Sequence, residues 1–384
     1  MNAISSGDLK LCILGGGQLG KMLIEAASNW NIQCFVLDPD PACSCAHLAH
    51  EFTCGSFKDY ETVYNFCQKA EKITIEIEHV NVDALLLLKR EGKQVFPDPS
   101  ALKIIQDKGK QKSFYEDNEL PTSNFQIIDS KEELLELIEE EKINFPFVQK
   151  SCEAGYDGKG VQVVKNENDF VNLLDGESVI EDLVDIEKEL SVIVARDAEG
   201  NTTCFPPVEM EFHPTANLVE YLLAPANISP EQKNTAEQIA IKTISELNIT
   251  GILAVEMFLT KNGEILINEV APRPHNSGHH TIEANYVSQY EQLLRCIFDI
   301  PMGSTKARSS AIMINLLGEE NFTGEAKYVG LKECLQMEGV YVHLYGKKTT
   351  KPFRKMGHVT ILAENILLAK QKAKFVKDNL RVIS

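Results

Sequence analysis

The chain has 384 residues, of which 43% are hydrophobic and 24% are charged, a globular composition with room for about two to three domains. Acidic residues outnumber basic ones by 56 to 38, which gives a net charge of −18; this excess repels nucleic acid and anionic lipid, so we expect neither nucleic acid nor a membrane as a partner. No stretch approaches the ~18 apolar residues of a spanning helix, the first residues carry no apolar signal segment, and the ten cysteines form no Cys-x-x-Cys pair. We therefore expect a cytoplasmic protein with reduced thiols.

Short apolar runs alternate with helical patterns over the first ~100 residues, which is typical of a parallel sheet wrapped by helices, so the predicted fold class is α/β. The pattern predicts strands at Leu11–Leu14, Ile32–Leu37 and Ile73–Ile77, and helices at Gln18–Ser28, Tyr60–Lys69 and Val82–Arg90. The run Phe96-Pro97-Asp98-Pro99-Ser100 interrupts this alternation, because proline donates no backbone N–H and extends the residue before it. We place a domain boundary there.

Two further regions follow this boundary. A smaller unit extends from Ala101 to about Leu183, and the region after it leads into a tail at residues 309–384 that we expect to contain further strands. The predicted elements are helix Lys131–Glu141, strands Phe147–Lys150, Val161–Val164 and Glu189–Arg196, helix Gln232–Leu247, a hairpin at Leu253–Val270, and a final helix around Asn365–Lys377.

A glycine motif, Gly15-Gly16-Gly17-Gln18-Leu19-Gly20, follows the first strand and opens the first helix. This context suits a phosphate, because backbone N–H groups and the helix dipole point at it. Asp38 ends the next strand, where a ribose-binding acid would lie in a dinucleotide fold. The motif alone leaves three readings open: a dinucleotide site, as in an NAD-dependent oxidoreductase, a site for another phosphorylated ligand, or a tight structural turn.

A second glycine-rich segment, Ala154-Gly155-Tyr156-Asp157-Gly158-Lys159-Gly160, lies between two predicted strands. Such a loop can bring backbone N–H groups against phosphate oxygens and close over them as a lid. A plain glycine hairpin is the alternative. Lys150, on the strand before it, points either at phosphate or into solvent at a strand edge.

The hairpin carries the most specific signal. If Asn262-Gly263 forms a two-residue turn, Thr260 pairs with Ile265, Phe258 with Ile267, and Glu256 with Glu269. Two opposed carboxylates destabilise a sheet unless a cation lies between them, and paired oxygen ligands suit Mg²⁺ that completes its shell with water and nucleotide phosphate. A pair that shares a proton or is separated by water is the alternative. Strict alternation turns Asn268 to the other face, so a ligand role for it requires a local twist.

The next segment, Ala271-Pro272-Arg273-Pro274-His275-Asn276-Ser277-Gly278-His279-His280, is rich in hydrogen-bond donors. Arg273 can hold an oxyanion bidentately and His275 can orient or protonate it, whereas for His279 and His280 we expect a solvated loop. Near the end, Gly346-Lys347-Lys348 and Arg354-Lys355-Met356-Gly357-His358 concentrate positive charge, which suits either a phosphate or an exposed basic surface.

Together these residues resemble a known family. The glycine-rich lid, the hairpin glutamates and Asn268-Glu269-Val-Ala-Pro-Arg-Pro-His275 are similar to the ATP-grasp superfamily. The additional runs Gly-Gly-Gly-Gln-Leu-Gly-Lys-Met, Ile-Glu-Ile-Glu78-His and Arg-Lys-Met-Gly-His resemble its 5-(carboxyamino)imidazole ribonucleotide synthases over nearly the whole chain. The family implies a Rossmann-like pre-ATP-grasp domain at 1–98, an ATP-grasp domain at 99–300 with a lid subdomain at about 110–183, and a C-terminal domain at 301–384.

The resemblance also implies roles for individual residues, with ATP between the second and third regions. The implied ATP contacts are Lys108, Lys150, Ala154, Gly155, Tyr156, Asp157, Gly158, Lys159, Gly160, the hinge residues Glu181, Asp182, Leu183 and Val184, and Glu189, His213, Asn268 and Glu269. The implied ribonucleotide contacts are Gln18, Leu19, Glu78, Tyr156, Asp157, Lys347, Arg354 and Lys355. Mg²⁺ is implied at Glu256 and Glu269, and the implied catalytic residues are Arg273, His275 and Asn276.

Three departures from the family pattern are visible. Lys108 stands where the family usually has Arg, Glu153-Ala154 replace the usual residues before the lid, and Phe353 stands where Gly is common. The implied activity is ATP-dependent carboxylation of 5-aminoimidazole ribonucleotide by bicarbonate, through carboxyphosphate, in a homodimer. A nucleotide-sensing protein that binds ATP without turnover is the non-enzymatic alternative.

Overall fold

The computed structural model describes residues 9–153, 160–212 and 219–384. The first unit is the predicted α/β unit. It contains β1 (Lys10–Leu14), α1 (Gln18–Ser28), β2 (Gln33–Asp38), β3 (Glu51–Cys54), α2 (Tyr60–Phe66), β4 (Lys72–Ile75), α3 (Val82–Arg90), β5 (Gln94–Phe96) and α4 (Pro99–Ile105).

Its five strands form a parallel sheet in the order β3-β2-β1-β4-β5. The predicted strands and helices are confirmed; β3 and β5 lie outside the predictions, and a short 3₁₀ turn at Cys67–Lys69 completes the second predicted helix. The strand order reverses between β1 and β4, so the loops that leave these two strands border one crevice at the carboxyl edge of the sheet.

The second unit is a four-stranded antiparallel sheet in the order β6-β9-β7-β8. Its elements are α5 (Lys108–Asp117), β6 (Phe125–Ile128), α6 (Lys131–Glu139), β7 (Phe147–Ser151), β8 (Val161–Val164) and β9 (Ser178–Asp182). Helix α6 packs Leu134 into the core of this unit. It ends before the predicted Glu141, because that residue has a φ of +56° and cannot continue a right-handed helix.

The remaining strands build a nine-stranded antiparallel sheet, with two short two-stranded pairs beside it. Its elements and their neighbours are β10 (Ile186–Arg196), β11 (Thr202–Cys204), β12 (Val208–Phe212), β13 (Val219–Ala224), α7 (Pro230–Glu246), β14 (Gly251–Thr260), β15 (Ile265–Ala271), α8 (Thr281–Ala284), α9 (Gln289–Ile297), β16 (Ser310–Leu317), β17 (Gly324–Glu325), β18 (Lys327–Val329), α10 (Leu331–Leu335), β19 (Val340–Leu344), β20 (Thr349–Thr350), β21 (Lys355–Ala363), α11 (Ile366–Asn379) and β22 (Arg381–Ile383). The sheet order is β15-β14-β10-β12-β13-β16-β21-β19, with β11 paired to β10. Pairing of β13 with β16 therefore carries the sheet from the central region into the C-terminal segment.

One apolar cluster connects the first unit to the rest of the molecule. Leu19 and Met22 of α1 pack there with Tyr290 and Leu294 of α9, and Tyr345, which follows β19, is buried in the same cluster. This packing places the end of β19 beside the start of α1. In the described residues, no helix combines the length and apolar composition needed to cross a membrane.

Candidate active site

The hairpin of β14 and β15 differs from the predicted register near its turn. The N–H of Thr260 donates to the carbonyl of Glu264, so the turn has three residues, with Gly263 at a φ of +86°. Leu259 therefore faces Ile265, and Met257 faces Ile267. The predicted pairs of Thr260 with Ile265 and Phe258 with Ile267 are wrong by one residue.

A β-bulge restores the predicted pairing of Glu256 with Glu269. The ladder shifts between Glu256 and Met257, which leaves Asn268 as the extra residue on β15, and Glu256 then faces Glu269 as predicted. The bulge also supplies the twist that Asn268 requires, because its Oδ1 accepts a hydrogen bond of 2.9 Å from Lys150 Nζ. The side chains of Asn268 and Glu269 consequently both contact lysines on the same face of the sheet.

The opposed carboxylates have unequal charge. Burial, with the charges of Glu269 and Glu189, raises the pKa of Glu256 to about 8. Burial also raises the pKa of Glu189 to about 7, with a further contribution from Glu269. Burial acts in the same direction on Glu269, but the charge and hydrogen bond of Lys108, 2.8 Å away, outweigh it and lower the pKa of Glu269. The metal-free pair therefore holds one proton on Glu256 at neutral pH.

Lysines from α5 and β7 meet a buried glutamate at the end of β9. The Oε1 of Glu181 lies 3.0 Å from Lys150 Nζ and 3.3 Å from Lys112 Nζ, and its Oε2 accepts a hydrogen bond of 2.8 Å from Ser123. Burial lowers the pKa of Lys112 to about 8, against the opposing charge of Glu181. Sequence reasoning missed Lys112, although its spacing of four from Lys108 places both on one side of α5.

The hinge residues border an open cleft at the other end of this face. Asp182 and Val184 line a cleft of about 390 Å³ together with Thr260 and Leu266, at the hairpin turn. Leu183, between the two hinge residues, is 42% exposed. The hinge thus lies beside the face that carries Glu256 and Glu269.

The glycine turn between β1 and α1 is filled by protein carboxylates. The N–H of Leu19 donates to Glu76 Oε1 at 3.1 Å, and the N–H of Gly16 donates to Asp38 Oδ2 at 2.7 Å. A Cβ on Gly17 would lie 2.4 Å from the Glu76 carboxylate, so a larger residue there would displace this carboxylate from the turn. The carboxylates occupy backbone donors that a dinucleotide pyrophosphate would use, which disfavours the dinucleotide interpretation of the motif and of Asp38.

Glu76 and Glu78 both follow β4 at the crevice of the parallel sheet. Burial raises the pKa of Glu76 to about 7, against the nearby charge of Arg273. Glu78 Oε1 lies 2.7 Å from Arg273 Nη2. Because Arg273 follows β15, this ion pair joins the first unit to the loop that leaves the β14–β15 hairpin. Sequence reasoning selected Glu78 but missed Glu76, which the alternation of Ile and Glu places on the same face.

The loop after β15 continues from Arg273 into a short 3₁₀ turn that His275 caps. His275 Nε2 lies 3.3 Å from Glu256 Oε1, and its Nδ1 lies 2.9 Å from the hydroxyl of Ser277. Asn276 donates a hydrogen bond of 2.8 Å to Asn315 of β16. The predicted solvated loop is wrong for His279 and His280, which are 1% and 3% exposed.

The basic C-terminal residues lie on the loop between β19 and β21. Lys347 donates a hydrogen bond of 2.8 Å to the carbonyl of Lys355, and Arg354 donates one of 2.6 Å to the carbonyl of Thr349. Phe353 has a φ of +59°, a left-handed conformation that glycine adopts at lowest cost. Its backbone thus keeps the conformation that glycine, common here in the resembled family, would take.

The structure brings most of the predicted site residues into two adjoining regions. Lys108, Lys150, Glu181, Glu189, Glu256, Asn268 and Glu269 contact or electrostatically affect one another on the hairpin side. Gly160 begins the segment leading into β8, where its carbonyl accepts from the N–H of Ser151. Of the other predicted residues, Ala154 to Lys159 and His213 lie outside the described residues.

Three domain families match the chain in succession. The ribonucleotide synthetase preATP-grasp domain matches residues 9–106, the ATP-grasp domain matches residues 113–290, and the phosphoribosylaminoimidazole carboxylase C-terminal domain matches residues 311–372. The first match covers the parallel-sheet unit, the second covers most of the four-stranded unit and strands β10 to β15 of the nine-stranded sheet, and the third lies in the C-terminal segment.

Similar proteins extend over almost the whole chain. The chloroplastic phosphoribosylaminoimidazole carboxylase of Vigna aconitifolia is 37% identical over 92% of this chain, which spans 64% of that protein's length. The N5-carboxyaminoimidazole ribonucleotide synthase of Bacillus subtilis is 36% identical, with 92% of this chain and 91% of that protein covered.

Solved structures give the same picture. The N5-carboxyaminoimidazole ribonucleotide synthetase of Thermotoga maritima superposes with a TM-score of 0.89 at 41% identity, covering 98% of this chain and 99% of the other. The Aspergillus clavatus N5-carboxyaminoimidazole synthase, solved with ADP and 5-aminoimidazole ribonucleotide, superposes with a TM-score of 0.86 at 29% identity, covering 97% and 99%.

Proposed function

The chain belongs to the N5-carboxyaminoimidazole ribonucleotide synthases, a family of ATP-grasp ligases, and on that premise we propose that it carboxylates 5-aminoimidazole ribonucleotide with bicarbonate and ATP in purine biosynthesis. The observation that carries the proposal is the ion pair of Arg273 with Glu78. It links the loop that follows the opposed hairpin glutamates to the crevice beside the glycine turn. The proposed ATP site and the proposed ribonucleotide site therefore adjoin each other at this ion pair.

ATP is proposed to bind along the hairpin face. Lys108 and Lys150 meet its phosphates, the hinge from Glu181 to Val184 receives the adenine, and Glu189 contacts the ribose. Both lysines already hold carboxylate or amide oxygens in this region, which is the chemistry that phosphate oxygens share. The family also implies ATP contacts for the lid residues 154–159 and for His213, and we include them in the proposal.

Glu256 and Glu269 are the residues that would hold a magnesium ion near the nucleotide phosphates. Their carboxylates supply the hard oxygen ligands that Mg²⁺ prefers. Burial, together with repulsion from Glu269, raises the pKa of Glu256, and a bound cation would offset that repulsion. When bound, the ion would stabilise charge on the transferring phosphoryl group. Lys108, whose ammonium pairs with Glu269, would remain in contact with the phosphates.

The first chemical step is transfer of the γ-phosphoryl group to bicarbonate. A bicarbonate oxygen attacks phosphorus, the bond to ADP breaks, and carboxyphosphate forms, which converts a poor leaving group into phosphate. Arg273 and His275 are proposed to hold bicarbonate, with Asn276 fixed beside them by Asn315. The lysines of the site neutralise the anionic reactants as they approach each other.

In the second step the exocyclic amine of the ribonucleotide attacks carboxyphosphate, or the CO₂ that it releases. A carbon–nitrogen bond forms, phosphate leaves, and the amine loses a proton. Arg354, Lys347 and Lys355 are proposed to anchor the ribonucleotide phosphate, and Gln18, Leu19 and Glu78 to contact the remainder. Holding both reactants in one crevice supplies the proximity on which such a reaction depends.

The decisive experiment measures ADP release with bicarbonate, in the presence and absence of the ribonucleotide, together with the carboxylated product. We expect one product per ADP and strong dependence on the ribonucleotide. Arg273→Gln should lose most of this activity. Arg295→Gln, which removes an ion pair with Glu291, a hydrogen bond to the Pro301 carbonyl and a cation–π contact with Trp30, alters none of the proposed site residues and should retain it. ATP binding without ADP release would instead favour the nucleotide-sensing alternative.

The family resemblance carries three further parts of the proposal: a homodimer, a cytoplasmic location, and domain boundaries near residues 98 and 300. Chromatography coupled to light scattering would test the first, and limited proteolysis would test the last.

A further inference from the structure

Three histidine rings form a buried column between the loop after β15 and the C-terminal strands. The ring of His358 lies between those of His343 and His279, with centroids 4.4 Å and 4.6 Å away. His343 Nε2 lies 2.7 Å from Glu283 of α8, and His279 Nδ1 lies 3.0 Å from the hydroxyl of Tyr290. The proposed chemistry uses none of these groups.

Two rings of the column, those of His279 and His358, contact side chains that lead to different parts of the proposed site. Gln289 accepts from the backbone N–H of His275 at 2.9 Å and donates to its carbonyl at 2.8 Å, and the same side chain lies 3.5 Å from His279. Through Gln289, the column therefore touches the loop proposed to hold bicarbonate.

At the middle of the column, His358 Nδ1 lies 3.0 Å from the hydroxyl of Tyr345. The Lys347 ammonium lies 5.5 Å from the centroid of the Tyr345 ring, within the range of a cation–π contact. Tyr345 is 1% exposed, so packing prevents its ring from moving away and leaves only small rotations and tilts. The hydrogen bond to His358 restrains that remaining freedom.

Two rings of the column are held neutral. Burial lowers the pKa values of His358 and His279 well below the ordinary range, and the proximity of His279 lowers the pKa of His358 further. His343, Lys21 and His280 also contribute positive charge that lowers the pKa of His358, as His275 and Lys355 do for His279. Neutral rings can stack closely without repulsion. A neutral imidazole also leaves one ring nitrogen free of hydrogen, and this nitrogen of His358 can accept a hydrogen bond from the Tyr345 hydroxyl.

We propose that His358 is a positioning residue, which fixes the Tyr345 ring by a hydrogen bond and thereby holds Lys347 at a set place relative to the His275 loop. The inference rests on the proposed function, because Lys347 is proposed there to contact the ribonucleotide phosphate. Ribonucleotide affinity, rather than ATP affinity, should depend on this hydrogen bond.

The test is a double-mutant cycle on His358 and Tyr345. Tyr345→Phe keeps the ring and removes the hydroxyl, and His358→Leu removes its partner. Each should raise the dissociation constant and the KM for the ribonucleotide about fivefold to tenfold, the loss expected for one neutral hydrogen bond, with KM for ATP unchanged. The double variant should be no weaker than either single variant, because all three lack the same bond.

Two comparisons separate positioning from general stability. His358→Asn retains an amide where Nδ1 stands and should recover most of the ribonucleotide affinity. His280→Leu removes a buried histidine of the same loop that lies outside the column, and it should leave that affinity unchanged even where thermal unfolding shifts. Ribonucleotide affinities that follow the unfolding temperatures of the five variants, or add in the double variant, would overturn the proposal.

Failure of the proposed function has a different signature. A wild-type protein that binds the ribonucleotide but forms no carboxylated product would refute the carboxylation, while the binding cycle would still decide the role of His358. A productive wild-type enzyme whose ribonucleotide affinity is unaltered by Tyr345→Phe would refute the positioning role alone.

Discussion

The two opposed glutamates should respond in opposite ways when each is replaced by glutamine in the metal-free protein. Burial and repulsion raise the pKa of Glu256 to about 8 from an ordinary 4.5. The folded state therefore holds a proton that the unfolded state has released, and stability falls as pH rises from 4.5 toward 8. At pH 7.5 the solution is about three pH units above the ordinary pKa of 4.5. At ~1.36 kcal/mol per unit, the loss of folding free energy is at most about 4 kcal/mol.

Glu256→Gln should remove this penalty and raise the free energy of unfolding at pH 7.5 by ~1–3 kcal/mol, since the carboxylate is partly exposed and solvent weakens the effect. At pH 4.5 the variant and the wild type should be nearly equal. Glu269→Gln should instead lower stability by ~1–2 kcal/mol, because it leaves the largely buried Lys108 facing a neutral amide.

Urea unfolding without Mg²⁺ or nucleotide measures these differences at both pH values, with the exposed turn residue Glu264→Gln as the control. Both site variants should nevertheless lose phosphoryl transfer at ordinary Mg²⁺, because charge stabilisation by the ion is worth several kcal/mol. Equal stability changes in Glu256→Gln and Glu269→Gln would refute the unequal charges assigned here. Wild-type turnover by either variant would refute the metal site.

Glu76→Gln should reduce the loss of metal-free stability between pH 5 and pH 8, because burial raises the pKa of Glu76 to about 7; an unchanged pH profile in urea unfolding would contradict this. Lys112→Met should lower the unfolding temperature and weaken ATP binding measured by calorimetry, since Glu181 would keep only Lys150 as its close cation, and unaltered values for both would contradict the cluster. Phe353→Gly should stabilise the protein by ~1 kcal/mol in urea unfolding by relieving the left-handed backbone; an unchanged or lower free energy of unfolding would contradict this. Arg354→Ala should raise KM for the ribonucleotide about tenfold to a hundredfold and leave KM for ATP unchanged; a parallel loss of ATP affinity would place this arginine at the nucleotide instead.

Local patterns determined the elements of this protein with good accuracy. The helix at Gln18–Ser28 has the predicted bounds, because apolar spacing and the preceding glycines act within a few residues. The opposition of Glu256 and Glu269 was also accessible from the sequence, since a hairpin brings together residues that are close along the chain.

The turn itself shows where local reasoning reaches its limit. Asn262-Gly263 is compatible with both a two-residue and a three-residue loop, and the bulge at Asn268 leaves no distinct mark in the sequence. The longer turn and the bulge each shift the register by one residue, and the two shifts cancel at Glu269. The predicted pair of Glu256 and Glu269 was therefore right, although the predicted pairs nearer the turn were not.

Burial of polar groups was decided by tertiary structure alone. His279 and His280 have the sequence context of a solvated loop, yet the column that covers His279 comes from His343 and His358, more than sixty residues further along the chain. Glu76 fills the glycine turn only because a parallel sheet brings the ends of β1 and β4 to one edge. Sequence periodicity reflects forces between neighbouring residues, whereas the charge of a carboxylate or the neutrality of a histidine depends on which distant segments exclude water from it.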